Sequence, residues 1–581
     1  MQVSVDGRAI PEHHIVRAVE VRRAVNRIPT ATLVIGDGDP ARQCFEGSQS
    51  SIFEPGKAIE IRAGYEGKRE RLFRGVIVRH SIKVPRRGAS QLRLICKDVA
   101  VRMTLARRDA LFTERKDSEV MRLLLGVYDL DAEIADTSVT HPQLVQHDCT
   151  DWDLLVTRAE ANGMVVVVED GTVRIGEPKT DGDATLGVGF GESILDLDLD
   201  IDATAQAESI ACRAWDPATQ AVLDETAREP RVNQQGNLDG GRLAAGAGAD
   251  LISLRTFADK QPEELKLWAD GFLRRMRIAR ICGRATFPGD ARAKPDTLLR
   301  LEHLGNRFNG DAYLSGITHL IERGDWTTRV DIGLSPRSFS DSHREMEGPA
   351  AGGLVPPARG LQIATVVQSH EDPDGAGRVL VSLPCVGGDT RNLWVRLAQP
   401  YASKDAGFCF FPEPGDEVVI GFLGEDPSSP VLLGGLHSKP RQPPCTPDEG
   451  NRRKSIATAG QLKIVFDDGE GRLRIETPEG RVVELDDEAQ RVSILDGNAN
   501  KVVMSKDGIT LESEGDIRLS SKGKIQLNAA GNLTLDSGAN LEAAAQKVSA
   551  EAVQTLGIKS ARAQLEASGT MIIKGGLVNI N

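Results

Sequence analysis

Histidine is the first residue type to test for chemistry, because imidazole serves as metal ligand and as general base near neutral pH. The chain has ten, among them His13, His14, His141, His147, His303 and His319. None stands in the His-Glu-x-x-His spacing that sets two ligands on one helical turn. The His13–His14 pair follows Pro11 and reads as surface. Eight cysteines (Cys44, Cys96, Cys149, Cys212, Cys282, Cys385, Cys409, Cys445) are scattered without a Cys-x-x-Cys pair. That pattern predicts reduced, mostly buried thiols rather than a zinc site or a disulfide framework. Gly187-Val-Gly-Phe-Gly191 lacks the spacing of a dinucleotide cradle, has no periodic helix after it, and reads as a loop. There is no Gly-x-Ser-x-Gly elbow and no phosphate-binding loop, and carboxylate pairs in an acidic chain identify nothing. The expectation is a protein with no catalytic residue, no cofactor and no metal.

With so little chemistry to place, the elements themselves carry the information. Leu495, Val503, Leu511, Leu519, Leu527, Leu535 and Ala543 follow one another at intervals of eight. A second row, Ile509, Ile517, Ile525, Leu533 and Leu541, runs two residues upstream, and Gly515, Gly523 and Gly531 share the period. An i, i+2 pair is strand periodicity, and a glycine accepts the backbone angles of a sharp bend. Each octad therefore predicts a short strand and a corner, stacked as a solenoid. One short strand cannot enclose a core, whereas three chains wound together give about 24 residues per turn, enough for a prism with an apolar axis. The prediction is an intertwined triple-stranded β-helix, an obligate homotrimer with those twelve apolar residues inside. After Phe466 no aromatic residue and no cysteine occurs, as a narrow interior requires.

Upstream, residues 341–358 are nearly all polar or Gly, Pro and Ala, and read as a linker. Beyond them, alternating stretches at 361–368, 378–383, 393–398, 417–422 and 431–433 are separated by turn residues, a pattern that suits a small barrel of OB type. Such barrels often bind single strands through aromatics in a basic groove. Here residues 359–440 carry six basic and ten acidic side chains, so Trp394, Tyr401, Phe408, Phe410, Phe411 and Phe422 read as barrel core and no nucleic-acid partner is expected. The first 340 residues mix strands with a few helices. One helix starts with Asp151 as its cap and stops at Gly163. Another starts at Pro262, with Leu265, Trp268, Ala269, Phe272, Leu273 and Met276 inward and Arg274, Arg275 and Arg277 outward.

At 581 residues and 40% apolar composition the chain can hold several cores, and its net charge of −13 again argues against nucleic acid. No apolar run reaches the length of a membrane span, and the first residues, MQVSVD, lack the basic and apolar regions of a secretory signal. Cytoplasmic synthesis and assembly without a signal peptide is the expectation, with delivery outside by a machine.

The ordered motifs Trp394–Pro400 (WVRLAQP), Phe410–Val418 (FFPEPGDEV) and Gly424–Gly434 (GEDPSSPVLLG) resemble the OB domain of VgrG spike proteins from type VI secretion and other contractile injection systems. Residues 454–487 are similar to that family's transition into its β-helix. Residues 144–171 and 305–334 resemble its phage tail-hub base. The resemblance implies tail-hub, late-control-protein-D-like β-barrel domains over 1–340, the linker 341–358, an OB domain over 359–440, a connector over 441–462 and a needle over 463–581. It further implies a trimeric spike that caps and nucleates the inner tube, meets baseplate proteins, and transiently penetrates the target membrane when a sheath contracts. A PAAR-type tip protein would sit on Gly575, Gly576, Leu577, Val578, Asn579, Ile580 and Asn581, with effector cargo as a further partner.

Overall fold

The computed structural model describes residues 1–343, 346–385 and 391–580. The protein is mainly β with a few helices, divided into two compact units, Met1–Leu436 and His437–Asn581.

The first unit is built on a 13-stranded sheet that carries two cores. Strand Thr30–Gly36 shows why it forms: its residues alternate, and Ala31, Leu33 and Ile35 are wholly buried. They pack with Phe53, Ile61, Phe73 and Leu94 in the first core. The second core lies under strands Ile281–Pro288, Thr297–Glu302, Gly310–Glu322 and Asp325–Ile332, around Ala285, Leu299, Leu314 and Val330. Strand Gly310–Glu322 pairs antiparallel with Val16–Ala24 and so joins both halves in one sheet. Two smaller α/β layers complete this region. One packs helices Asp117–Gly126 and Asp151–Ala161 with a three-stranded sheet, and the other lays helix Pro262–Ile278 on strands around Ser209–Asp216.

Both helix expectations need correction in detail. The first is capped by Thr150, whose hydroxyl accepts from the Asp153 amide, and Asp151 falls in the first turn. Asp151 is buried there and accepts from Gln146 (2.8 Å) and the Tyr128 hydroxyl (2.6 Å). On helix Pro262–Ile278 the apolar face points inward as expected, but the arginines are not solvated. Arg277 is among the most deeply buried side chains, held by Glu229 at 2.6 and 2.8 Å and by the Ala207 carbonyl. Arg275 pairs with Glu160, and Arg274 with Glu177. Helical periodicity shows which face is apolar, and cannot show that a second layer covers the polar face as well.

The barrel is closed, in the order Gln362–Gln368, Val379–Ser382, Asn392–Leu397, Pro430–Gly435, Glu417–Phe422. Its core is aliphatic: Ala364, Val366, Val379, Val381, Val395, Val418, Ile420 and Leu432, with Phe422 against it. The aromatics read as core therefore divide. Tyr401, Phe408, Phe410 and Phe411 are exposed around a short hairpin, Ala402–Ser403 with Ala406–Gly407. A five-stranded barrel this narrow fills with branched aliphatics and leaves no room for four more rings.

Within the second unit, seven strands from Arg453–Ala457 to Gly508–Glu512 form an antiparallel meander in which each pairs with its sequence neighbours. The sheet thus begins inside the expected connector 441–462. From residue 514 to 580 the chain is exposed and has bends but no strand, without pairing inside the chain.

Candidate assembly site

The seven-stranded sheet has two faces of opposite character. Direct cross-strand pairing lines up Ile456, Ile464, Ile475, Val483, Ile494, Val502 and Leu511 in one row. A second row on the same face runs through Phe466, Leu473, Leu485, Val492, Met504 and Ile509. The other face carries an ionic lattice. Arg453 pairs with Asp467, Arg474 with Glu476 and Glu484, Arg491 with Glu484 and Asp486, and Lys501 with Glu512. Arginines lie across the carboxylates, so Glu484 and Asp486 are buried while Ile475, Leu485 and Ile494 opposite are more than 40% exposed. An antiparallel sheet in water normally hides its apolar face. Here the apolar face is the open one, and a contiguous apolar surface of this kind marks an interaction surface.

This register corrects the ladder. Leu495 lies opposite Lys501 and the buried Val482, and Val503 opposite Ser493 and Thr510, on the face that carries the ion pairs. The positions on the open apolar face at that level are Ile494 and Val502. Spacing by eight assumes one repeat throughout, whereas the hairpins of the meander shift side-chain parity until Ile509 and Leu511, where the octads begin.

Beyond Glu512 the chain bends at 514–515, 522–523, 530–531 and 538–539, then at 546, 553–554, 561–562, 568–569 and 576–577. The period is the octad, with slips to seven downstream. Ile517, Leu519, Ile525, Leu527, Leu533, Leu535, Leu541 and Ala543 are all exposed. Among residues 513–580 no backbone–backbone hydrogen bond forms within the chain. Backbone without hydrogen-bond partners, flanked by exposed apolar side chains, leaves its donors and acceptors open to pairing with another strand. Residues 575–580 are likewise exposed and outside any strand, and Asn581 lies outside the described residues.

Elsewhere the chemistry-bearing residues serve packing. Asp117 is buried and accepts both prongs of Arg158 (2.7 and 2.8 Å), His141 Nε2 (2.9 Å) and Asn162 (2.9 Å). Burial opposes its ionisation, but the Arg158 fork, His141 and Asn162 outweigh that and hold the carboxyl well below its ordinary range. Glu264 of the other layer stands 3.5 Å from His141 Nδ1. Among the described residues no nucleophile hydrogen-bonds to this cluster, which reads as a clamp between layers. His14, expected at the surface, is buried edge-on against Phe53. Only Cys96 and Cys212 are buried, each pushed up to about 12 chiefly by burial, while Cys385 and Cys409 are exposed. The start of the glycine stretch is not loop: strand Leu186–Gly189 pairs parallel with Thr297–Glu302. Among the described residues no helix is long and apolar enough to cross a membrane.

Residues 1–323 match the family described as the Alg8 N-terminal domain. The chain belongs to that family. Downstream of this Alg8-type region, residues 362–437 match the type VI secretion system/phage-baseplate injector OB domain. Among curated proteins the chain is similar to the actin cross-linking toxin VgrG1 of Vibrio cholerae, 28% identical over 190 residues, which is 30% of this chain and 17% of that protein. It is 30% identical to the V. cholerae type VI spike protein VgrG3 over 132 residues, 21% of this chain and 13% of the other. The Pseudomonas aeruginosa spike protein VgrG1a is 34% identical over 91 residues, 14% of each chain. The matches thus span under a fifth of the length of these relatives. Among solved structures, the 43 kDa tail protein of prophage MuSo2 from Shewanella oneidensis has a TM-score of 0.45 at 10% identity, covering 58% of this chain and 98% of that one. An E. coli component of the type VI secretion system has a TM-score of 0.38 at 12% identity, covering 75% of this chain and all of the other.

Proposed function

We propose that this chain is the spike subunit of a contractile injection machine and works as a homotrimer without catalytic activity of its own. The observation that carries the reading is the open apolar face of the meander, continuing into octads whose backbone has no partner within the chain. Three copies in register would bury that face and pair those strands, giving a stiff rod. The similarity to VgrG spike proteins and the match to the injector OB domain support the same role. In this reading residues 1–340 cap and nucleate the inner tube and meet the baseplate, the OB barrel forms a collar, and the rod is driven through the target envelope. Residues 575–581 offer strand edges to a PAAR-type tip protein, and effector cargo travels with the spike.

Native mass spectrometry with negative-stain imaging tests this directly. A trimer mass with a thin projecting needle is the expected result. A compact monomer ends the proposal. Deleting 575–581 is expected to abolish capture of a tip protein while leaving the trimer intact.

A further inference from the structure

The barrel carries two apolar surfaces that its own fold leaves open. The first is the hairpin that follows strand Asn392–Leu397. Gln399 Nε2 donates to the Phe410 carbonyl at 3.0 Å, and the Phe408 amide to the Tyr401 carbonyl at 2.9 Å, which fixes the hairpin at its base. Gly407 is required there, because a β-carbon would clash with the Tyr401 carbonyl. The hairpin presents Tyr401, Phe408, Phe410 and Phe411, each between 41% and 55% exposed.

The second surface is the outer wall of strands Gln362–Gln368 and Glu417–Phe422. Leu361, Ile363 and Val367 are exposed along it. A β-carbon at Gly421 would lie 3.2 Å from the Leu361 side chain and 3.8 Å from that of Leu433. These two exposed leucines therefore flank a floor that carries no side chain, a slot that fits a flat ring. In the closed strand order, Asn392–Leu397 is separated from this wall by Val379–Ser382 on one side and by Pro430–Gly435 on the other. The strand that carries the rings thus stands opposite the wall, and both surfaces remain uncovered within the chain.

Complementary surfaces on opposite sides of one barrel suit a head-to-tail contact, which closes into a ring when the rotation allows. Asn392–Leu397 pairs parallel with Pro430–Gly435, so the hairpin leaves the barrel at the end from which the chain runs on to the meander. Four half-exposed rings offer roughly 400 Å², against roughly 800 Å² per partner in a stable interface. A contact of that size does not hold free partners, but it suits copies that a second interface already tethers.

We propose that the ring-bearing hairpin of one copy docks on the slotted wall of the next, closing three barrels head to tail. This rests on the homotrimer proposed above and names the surface by which its barrels join.

The full chain is weighed by native mass spectrometry and then treated with a short bis-maleimide. The exposed Cys409, between Phe408 and Phe410, is one anchor, and Ile363→Cys supplies the other. Covalent dimers and trimers on a denaturing gel are expected from Ile363→Cys, and their loss when Cys409→Ser is added. Phe408→Asp with Phe410→Asp is expected to abolish them while the native mass stays trimeric. Thermal melts show whether each variant folds, and Val367→Cys on the same wall replaces Ile363→Cys if that one does not. A trimeric mass without Cys409-dependent products, or products undiminished by the two aspartates, overturns the contact and leaves the needle trimer standing. Free maleimide labelling of Cys409 in the intact trimer overturns it too, because the rings are then uncovered. A monomeric mass removes the trimer and the contact together.

Discussion

At the scale of single residues, the buried polar groups make the sharpest predictions. Asp117 and Arg158 form a forked pair out of water, so removing one partner strands the other. Asp117→Asn is expected to cost about 3–5 kcal/mol in chemical denaturation. His319 is wholly enclosed and hydrogen-bonded to Thr328 Oγ1 at 3.0 Å. Burial, assisted by the nearby Arg23, lowers it from 6.5 to about 3. The unfolded chain therefore takes up a proton between those values that the folded chain refuses, and stability falls as pH falls through that window. His319→Gln is expected to flatten the loss of stability measured between about pH 6.5 and about pH 4. The Asp117 cluster was not legible beforehand, because it assembles residues far apart in sequence. Asp117, His141, Arg158 and Glu264 come from four different elements.

Among the elements, register decides function. The five barrel strands were readable from alternation and turn residues almost to their ends, since a narrow closed barrel demands one buried face throughout. The rings of Tyr401, Phe408, Phe410 and Phe411 were misplaced because composition cannot tell a core position from a hairpin beside it. Neighbouring positions in the meander give the test. Ile494→Asp is expected to break the assembly into monomers in analytical ultracentrifugation, because it puts a charge on the open apolar face. Leu495→Asp, one residue on, faces the ionic lattice and is expected to leave the oligomer standing. Equal effects of the two would mean that the face assignment is wrong.

For the whole molecule, the telling feature is the backbone pairing that residues 513–580 do not make within the chain. A fragment spanning 453–581 is expected to be trimeric and to melt at a temperature that rises with protein concentration, as linkage between folding and association requires. A monomeric, cooperatively folded fragment would falsify the braided needle. The sequence by itself determined the octad period, the bends and the apolar-to-polar alternation, because these are local properties of strand geometry. Only the tertiary structure decided which face of the meander is open and where Leu495 and Val503 point. Hairpin parity and the meeting of distant segments are set by pairing across the fold, and no window of neighbouring residues contains them.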